Sequence, residues 1–281
     1  MTNCSGVYCR ALRQFSINSV LCIGQYNRDM KDEIIQRLSD INDRFYQSFG
    51  AAFAETRRRI QPGVQRIIES YIHNGDWLDI GCGSGALGQR LANSGIQGSY
   101  TGLDSSVPLL AEARTGAEGL GTHLGFSLHY AQVNLLDNAW TVLLNGKIFD
   151  GLLAFAVLHH LPGYDLRRRV IRQVASLLKP EGLFIHSEWQ FHNSAKLMAR
   201  VQSWSAVGLT EQDVEPADAL LDWRHQVKGQ TNEIGLRYVH LFSRDELADL
   251  AQQTGFSILE EFESDGAGGN LGLYQVWQKM N

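Results

Sequence analysis

Residues 77–88 read Trp-Leu-Asp-Ile-Gly-Cys-Gly-Ser-Gly-Ala-Leu-Gly, and the order of residue types within them sets the architecture. An apolar run ends at Asp79 and passes straight into Gly81, Gly83 and Gly85, after which Ala86 opens a helix-compatible stretch. That is a strand, a glycine turn and a helix start, placed where backbone approaches a ligand without Cβ obstruction. The spacing Gly83-x-Gly85-x-x-Gly88 also satisfies the dinucleotide fingerprint. A pyrophosphate, however, is received by the positive end of a helix. Asp79, two positions before the first glycine, suits a cationic or hydroxyl-rich ligand better.

Outward from this turn the pattern alternates, with strands over 77–80, 98–103, 126–133, 149–157 and 182–189 and helices over 86–93, 107–117 and 165–178. Such alternation predicts an α/β fold, a parallel sheet with helices on both faces. Upstream, Ile34, Ile35, Leu38, Ile41, Phe45 and Phe49 recur at helical spacing, and a second helix follows Pro62 over 63–72. Downstream, 257–263 and 273–279 read as two late strands around Gly266, Gly268 and Gly269. Residues 191–236 break the rhythm and carry Trp204, Trp223 and an acidic stretch from Glu211 to Asp218. They read as an insertion over the carboxyl ends of the strands, where open α/β sheets bind ligands. The expected organisation is a disordered extension over 1–29 and one domain over 30–281. Within that domain come N-terminal helices over 30–75, a ligand-binding core over 76–190, the insertion over 191–236, and a helix and hairpin over 237–281.

With 281 residues and 44% hydrophobic content, one such domain has ample core. No run approaches eighteen apolar residues, so no membrane span is expected. The net charge is −5, yet Arg57-Arg58-Arg59, Arg66, Arg167-Arg168-Arg169 and Arg172 cluster. A phosphate footprint depends on local patches, so the negative total does not exclude nucleic acid, and a solvated helix face is the plainer reading of each triplet. Of the four cysteines, three precede Met30 and Cys82 lies in the glycine turn, with no metal-ligand spacing. A cytoplasmic protein without a structural metal is expected. Residues 1–29 lack acids until Asp29 and loosely resemble a transit peptide, but an upstream start-site extension is the plainer reading.

The run Asp79-x-Gly81-x-Gly83-x-Gly85 resembles motif I of the class I S-adenosylmethionine (SAM) methyltransferases. That resemblance implies SAM as cofactor, with the turn (Gly81, Cys82, Gly83, Gly85) against its methionine end and Asp79 orienting it. It also implies a Rossmann-like sheet of seven strands, mostly parallel, closed by a hairpin with one antiparallel strand. Asp104, ending Tyr-Thr-Gly-Leu-Asp, is placed to accept both ribose hydroxyls, with Ser105 beside it; a helix N-cap is the alternative. Asn134 stands where the family often has Asp near the adenine amine, and Leu135 would offer its backbone N–H to the ring. Phe155 and the run Ala156-Val157-Leu158-His159-His160-Leu161 resemble the motif after strand four, which lines the methionine and the acceptor. Hydrogen-bonded packing is the other reading of both histidines. Lys179-Pro180-Glu181-Gly182 resembles the turn into strand five, which brings Trp189 to the acceptor side.

Two further stretches narrow the resemblance. Phe53-Ala-Glu-Thr56-Arg57-Arg58-Arg59-Ile-Gln61-Pro62-Gly-Val64 and Arg237-Tyr238-Val-His240-Leu-Phe242 resemble the tRNA wobble-uridine carboxymethyl methyltransferases, as do Asp265 and Gly269-Asn270. Gln61 stands where that family has tryptophan, Arg58 where it has tyrosine and Leu271 where it has an aromatic residue. The resemblance implies methylation of the carboxylate of 5-carboxymethyluridine in tRNA, and a small activator subunit. Arg57 and Arg237 are the candidates for holding the acceptor carboxylate or a neighbouring phosphate, with His240 to steady the phosphate and bracing of the N-terminal helix as the other reading of the arginines. The rival is a small-molecule O- or N-methyltransferase with an enclosed cavity built from Trp189, Trp204 and Trp223. The tRNA reading predicts instead an open mouth ringed by Arg57, Arg58, Arg66 and Arg237.

Overall fold

The computed structural model describes residues 30–55, 59–120, 125–225 and 233–281. The segment 1–29 and both Arg57 and Arg58 lie outside the described residues. The chain opens with helices α1 (Asp32–Glu55) and α2 (Pro62–Tyr71), then follows β1 (Gly75–Ile80), α3 (Ala86–Ala92), β2 (Gly98–Asp104), α4 (Val107–Ala117) and β3 (Phe126–Gln132). It continues through β4 (Phe149–Phe155), α5 (Tyr164–Leu177), β5 (Leu178–Trp189), α6 (Ala195–Met198), β6 (Val201–Gln202), β7 (Asp218–His225) and β8 (Glu233–His240). It closes with α7 (Arg244–Thr254), β9 (Phe256–Ser264) and β10 (Gly272–Lys279).

Seven strands form the main sheet in the order β3-β2-β1-β4-β5-β10-β9. The pairs β1–β2, β1–β4, β2–β3 and β4–β5 are parallel, and β10 runs antiparallel to both β5 and β9. The expected alternation therefore takes the expected shape, because side chains of period two feed two faces. Leu78, Ile80, Leu152, Ala154 and Phe184 pack with α5 and α7 on one face. Trp77, Leu153 and Ile185 pack with α2 and α3 on the other. On α5, Leu166, Val170, Ile171, Val174 and Leu177 form the buried stripe. Each such side chain contributes roughly 1.5–3 kcal/mol on burial.

The insertion is a second, three-stranded antiparallel sheet, β6-β7-β8, preceded by short helical turns. Its strand β8 runs on to His240, so the boundary expected at 236 cuts through a strand; β7 is the partner that requires residues 237–240. Helix α1 belongs to this layer rather than to the main sheet. Its Ile34, Leu38 and Ile41 pack against Trp204, Leu209, Val214, Leu220 and Tyr238. Asn42 fastens the two by its carboxamide, accepting the Tyr238 N–H at 2.8 Å and donating to the Tyr238 carbonyl at 3.1 Å.

A buried ionic cluster locks this layer to the core. Arg167 of α5 donates to Glu215 at 2.7 Å and to Glu246 of α7 at 3.0 Å, and its other terminal nitrogen donates to the Leu161 carbonyl. His240 bridges Asp218 at 2.7 Å and Glu246 at 2.9 Å. The Tyr238 hydroxyl donates to Asp218, and Glu215 accepts the Tyr164 N–H. The acidic stretch of the insertion is thus half buried machinery, not a solvated loop.

Candidate cofactor and acceptor site

A cavity of about 580 Å³ opens over the carboxyl ends of β1, β2, β4 and β5, roofed by α1 and β8. Its volume is in the range that small-molecule sites occupy. The glycine turn forms one wall. Gly81, Gly83 and Gly85 all have left-handed φ, at 69°, 56° and 73°. A Cβ on Gly81 would lie 2.5 Å from Val157, whereas nothing stands within 4 Å of one on Gly83. Gly83 therefore faces the open cavity, while Gly81 serves close packing. Gly85 does not line the cavity. It starts α3, and its Cβ would lie 2.7 Å from Tyr130 and 2.8 Å from Ala113, so its cofactor role is indirect.

Both carboxylates line the cavity from the carboxyl ends of β1 and β2. Asp79 is buried and accepts a hydrogen bond from the Tyr100 hydroxyl. Burial raises its pKa to about 7 and nearby Asp104 adds to the rise, against the lowering effect of the Tyr100 bond. Such a group favours a cation as partner. Asp104 accepts the Gly83 and Ser106 N–H groups, each at 2.8 Å. It therefore ties the glycine turn to the start of α4, while Ser106, not Asp104, supplies the helix cap. Burial raises the Asp104 pKa, and the backbone bonds work the other way. Cys82, Ser105, Asn134, Leu135 and Phe155 line the same cavity. The Asn134 carbonyl oxygen accepts the Leu136 N–H at 2.9 Å, so it shapes the loop that would flank an adenine.

The opposite wall holds Trp189, Arg237, His159, His160, Glu188 and Tyr46. The Arg237 guanidinium lies 4.9 Å from the Phe45 ring centroid and 5.2 Å from that of Trp189. Two aromatic faces thus fix a buried cation in the cavity wall. The His159 and His160 rings stand 4.4 Å apart. His159 Nδ1 accepts the Trp189 N–H at 3.3 Å and lies 3.2 Å from Glu188, whose pKa burial pushes well up. His160 Nδ1 meets the Tyr238 carbonyl and its Nε2 meets the Tyr46 hydroxyl, both at 3.0 Å.

Several expected positions are corrected. His240 is fully buried and outside the cavity, with both ring nitrogens on carboxylates, so it touches no acceptor. Burial and Arg167 oppose its charge, but Glu246 and the bonds to Asp218 and Glu246 prevail and raise its pKa to about 9. Arg66 pairs with Glu260 and covers the Phe262 ring, away from the mouth; Arg59 lines the cavity instead. Of the three tryptophans, only Trp189 lines it: Trp204 is in the α1 core and Trp223 packs on Phe45 and Phe49. Asp265 lines the cavity and also accepts the Gly63 N–H at 3.0 Å and the Tyr274 hydroxyl, holding the start of α2. Tyr46, Asn42 and Glu188 carry no sequence motif that marks them as site residues, whereas His159 lies in the run after strand four. A polar Asn42 within the apolar stripe of α1, and Glu188 at the end of an apolar strand, were the available signals.

Fold, glycine cradle and paired carboxylates together define a SAM-dependent methyltransferase of class I. Residues 52–261 match the family model described as a methyltransferase domain, and the chain belongs to that family. A SAM-dependent methyltransferase structure from Methanosarcina mazei superposes with a TM-score of 0.56 at 26% identity, covering 76% of this chain and 97% of that one. A tRNA (carboxymethyluridine(34)-5-O)-methyltransferase of Schizosaccharomyces pombe is 25% identical over 230 residues, 76% of this chain and 88% of its own. A ubiquinone biosynthesis O-methyltransferase of Cronobacter sakazakii is 29% identical over 178 residues, 61% of this chain and 68% of its own. SAM fits the residues present: open space at Gly83, a buried acid at Asp79 for positive charge, and Asp104 at the second strand's end.

Proposed function

We propose that the acceptor is a carboxylate, that of 5-carboxymethyluridine in tRNA, and that the product is its methyl ester. The observation that carries this reading is Arg237, a cation fixed in the acceptor wall by Phe45 and Trp189. The guanidinium fork matches a carboxylate in two-point geometry. The match to the Schizosaccharomyces pombe enzyme spans most of both chains and supports the same reading. Arg57, in the stretch that resembles that family, is a second candidate for the carboxylate or a phosphate.

SAM supplies an already activated methyl group, so the chain's task is alignment. Asp79, Asp104 and the glycine turn seat the cofactor, and Arg237 turns the carboxylate toward it. A carboxylate is ionised at neutral pH and requires no base. One orienting arginine suffices, because a clamp of two would lower the nucleophilicity of the oxygen. Arg59 at the cavity edge extends the positive side toward a phosphate backbone. Assembly with a small activator subunit is part of the proposal, as is a cytoplasmic site of action. The test is purified protein with labelled SAM and bulk tRNA from cells lacking the ester, with and without candidate activators, followed by nucleoside mass spectrometry. Label in the carboxymethyluridine ester is expected. Calorimetric SAM binding without tRNA labelling would overturn the reading.

A second reading has support of its own. The ubiquinone relative is named an O-methyltransferase, and the acceptor wall contains histidines in hydrogen-bonded pairs. A small-molecule acceptor is therefore the alternative that the same assay, run on metabolite extracts, would reveal.

A further inference from the structure

We propose that Arg168, Arg169 and Arg172, on the outer face of α5, form a docking stripe for the phosphate backbone of tRNA. This deepens the tRNA reading of the acceptor and rests on it, but it involves none of the residues that hold SAM or the acceptor group.

The triplet Arg167-Arg168-Arg169 splits when the helix forms. Arg167 turns inward to Glu215 and Glu246 and is fully buried. Its two neighbours emerge on the other side, where the period of α5 gathers Asp165, Arg168, Arg169, Arg172, Gln173 and Ser176 on one face. These six line a shallow concavity of about 270 Å³ that shares no lining residue with the main cavity. Arg168 and Arg172 stand four residues apart, about 6 Å along the helix axis.

Carboxylates do not neutralise this stripe. Asp165 pairs with Arg168 at 2.8 Å, and Arg168 also donates to Gln253 of α7 at 3.3 Å. Asp249 is engaged by the Tyr164 hydroxyl and the Gln253 carboxamide, and Asp137 accepts the Ala139 N–H. Arg169 donates from one terminal nitrogen to the Leu136 carbonyl at 2.9 Å, a neutral acceptor. Its buried Nε has no partner among the described residues. Arg172 is exposed and carries no ion pair or hydrogen bond among the described residues. Like charges three and four residues apart repel one another along a helix. None of the basic residues of α5 lies in its last turn, where the helix dipole would favour them. The arrangement costs the isolated chain stability and returns it when an anionic ligand binds.

Position and chemistry point to the ligand. The loop over 134–138 joins the stripe to the main cavity. Asn134, Leu135 and Leu136 line that cavity, while the Leu136 carbonyl holds Arg169 and the Asn138 carbonyl accepts from Gln173 at 2.8 Å. The stripe therefore flanks the site that would receive the target nucleoside. A row of guanidinium groups on an open helix face has no enclosure for a small anion. It suits an extended polyanion whose phosphate oxygens accept from the guanidinium forks. RNA attached to a nucleoside in the cavity provides such a backbone.

The test measures binding of fluorescently labelled bulk tRNA to the full-length enzyme by anisotropy, from about 50 to 200 mM salt. The double variant Arg169→Gln/Arg172→Gln is expected to bind about tenfold more weakly. Its log–log salt slope should fall by roughly 1.5, the share of two phosphate contacts. The charge-keeping variant Arg169→Lys/Arg172→Lys should restore most of both, which a merely structural role would not produce. On free 5-carboxymethyluridine, which carries no phosphate, both variants should form ester at the wild-type rate. On tRNA the glutamine variant should raise KM and leave kcat. Absence of tRNA binding by the wild type overturns the stripe, as does an unchanged slope in the glutamine variant. Ester formation alongside an unchanged slope would remove the stripe and leave the carboxylate reading standing. Binding of tRNA through the stripe without ester formation would do the reverse. Loss of binding to phosphatidylserine vesicles, with tRNA binding intact, would assign the stripe to a membrane surface and so overturn the proposal.

Discussion

Replacing Arg167 with methionine removes the cation that lies between Glu215 and Glu246, where all three side chains are fully or almost fully buried. Methionine keeps most of the apolar stem, so the change is chiefly electrostatic. Two cations, Arg167 and the charged His240, balance three carboxylates, Glu215, Asp218 and Glu246. Without Arg167 that cluster holds three acids and one cation away from water. Breaking a buried pair by removing one partner costs about 3–5 kcal/mol. At roughly 2–4 °C per kcal/mol for a chain of this size, the melting temperature should fall by about 6–20 °C. Differential scanning calorimetry at pH 7 reads this directly. A drop below about 2 °C would refute the view that the cluster fastens the α1–β8 layer to the core.

The same cluster sets a pH dependence of definite sign. The His240 pKa in the folded chain, about 9, lies above its ordinary value of 6.5, so folding favours the proton. The stability it confers is fully present below pH 6.5 and is lost as pH rises through about 9. The loss amounts to about 3 kcal/mol. Wild-type melting temperature should therefore fall between pH 7 and pH 10, and His240→Gln, already lacking the charge, should show a flatter slope there.

Three further predictions concern the cavity. Asp104→Ala deletes the acceptor of two backbone N–H bonds and the group placed for the ribose. SAM affinity by calorimetry should fall about 100-fold, as expected for two bonds to a charged acceptor; wild-type-like affinity would remove Asp104 from the ribose site. Asp79 must ionise to face the positive charge of the cofactor, so SAM affinity should weaken about tenfold per pH unit below its pKa of about 7. Asp79→Asn should flatten that profile, and an unchanged profile would assign the proton to another group. Arg237→Met retains packing against Phe45 and Trp189 but loses the charge. It should spare SAM affinity while slowing carboxylate methylation about 100-fold, and equal rates would leave Arg237 a structural role.

The cofactor half of the site was legible because local chemistry specifies it. Gly81, Gly83 and Gly85 adopt backbone conformations that other residues resist, and Asp79 and Asp104 lie at the carboxyl ends of the paired strands β1 and β2. The acceptor half was legible only in part. Trp189 and Arg237 were picked out, but His240, in the same short motif as Arg237, turned out to serve the buried cluster. Successive side chains of a strand point to opposite faces, so Arg237 and His240, three apart, face opposite sides of β8, Arg237 the cavity and His240 the buried cluster. Asp265 lines the cavity and at the same time holds the start of α2, a second role no local pattern shows.

Periodicity, glycine placement and two strand-terminal acids are properties of consecutive residues, and they were enough to specify a parallel α/β sheet with a SAM-binding turn. The acceptor wall has a different origin. Tyr46, His160, Glu188, Trp189 and Arg237 come from α1, the turn after β4, the end of β5 and β8, and up to 191 residues of chain separate members that touch through one cavity. Their roles depend on which nitrogen meets which carbonyl and on which aromatic face a guanidinium rests. Those distances arise only when α1 and the inserted sheet pack over the strand ends, driven by burial of Leu38, Ile41, Leu220 and Tyr238 and secured by the Arg167 cluster.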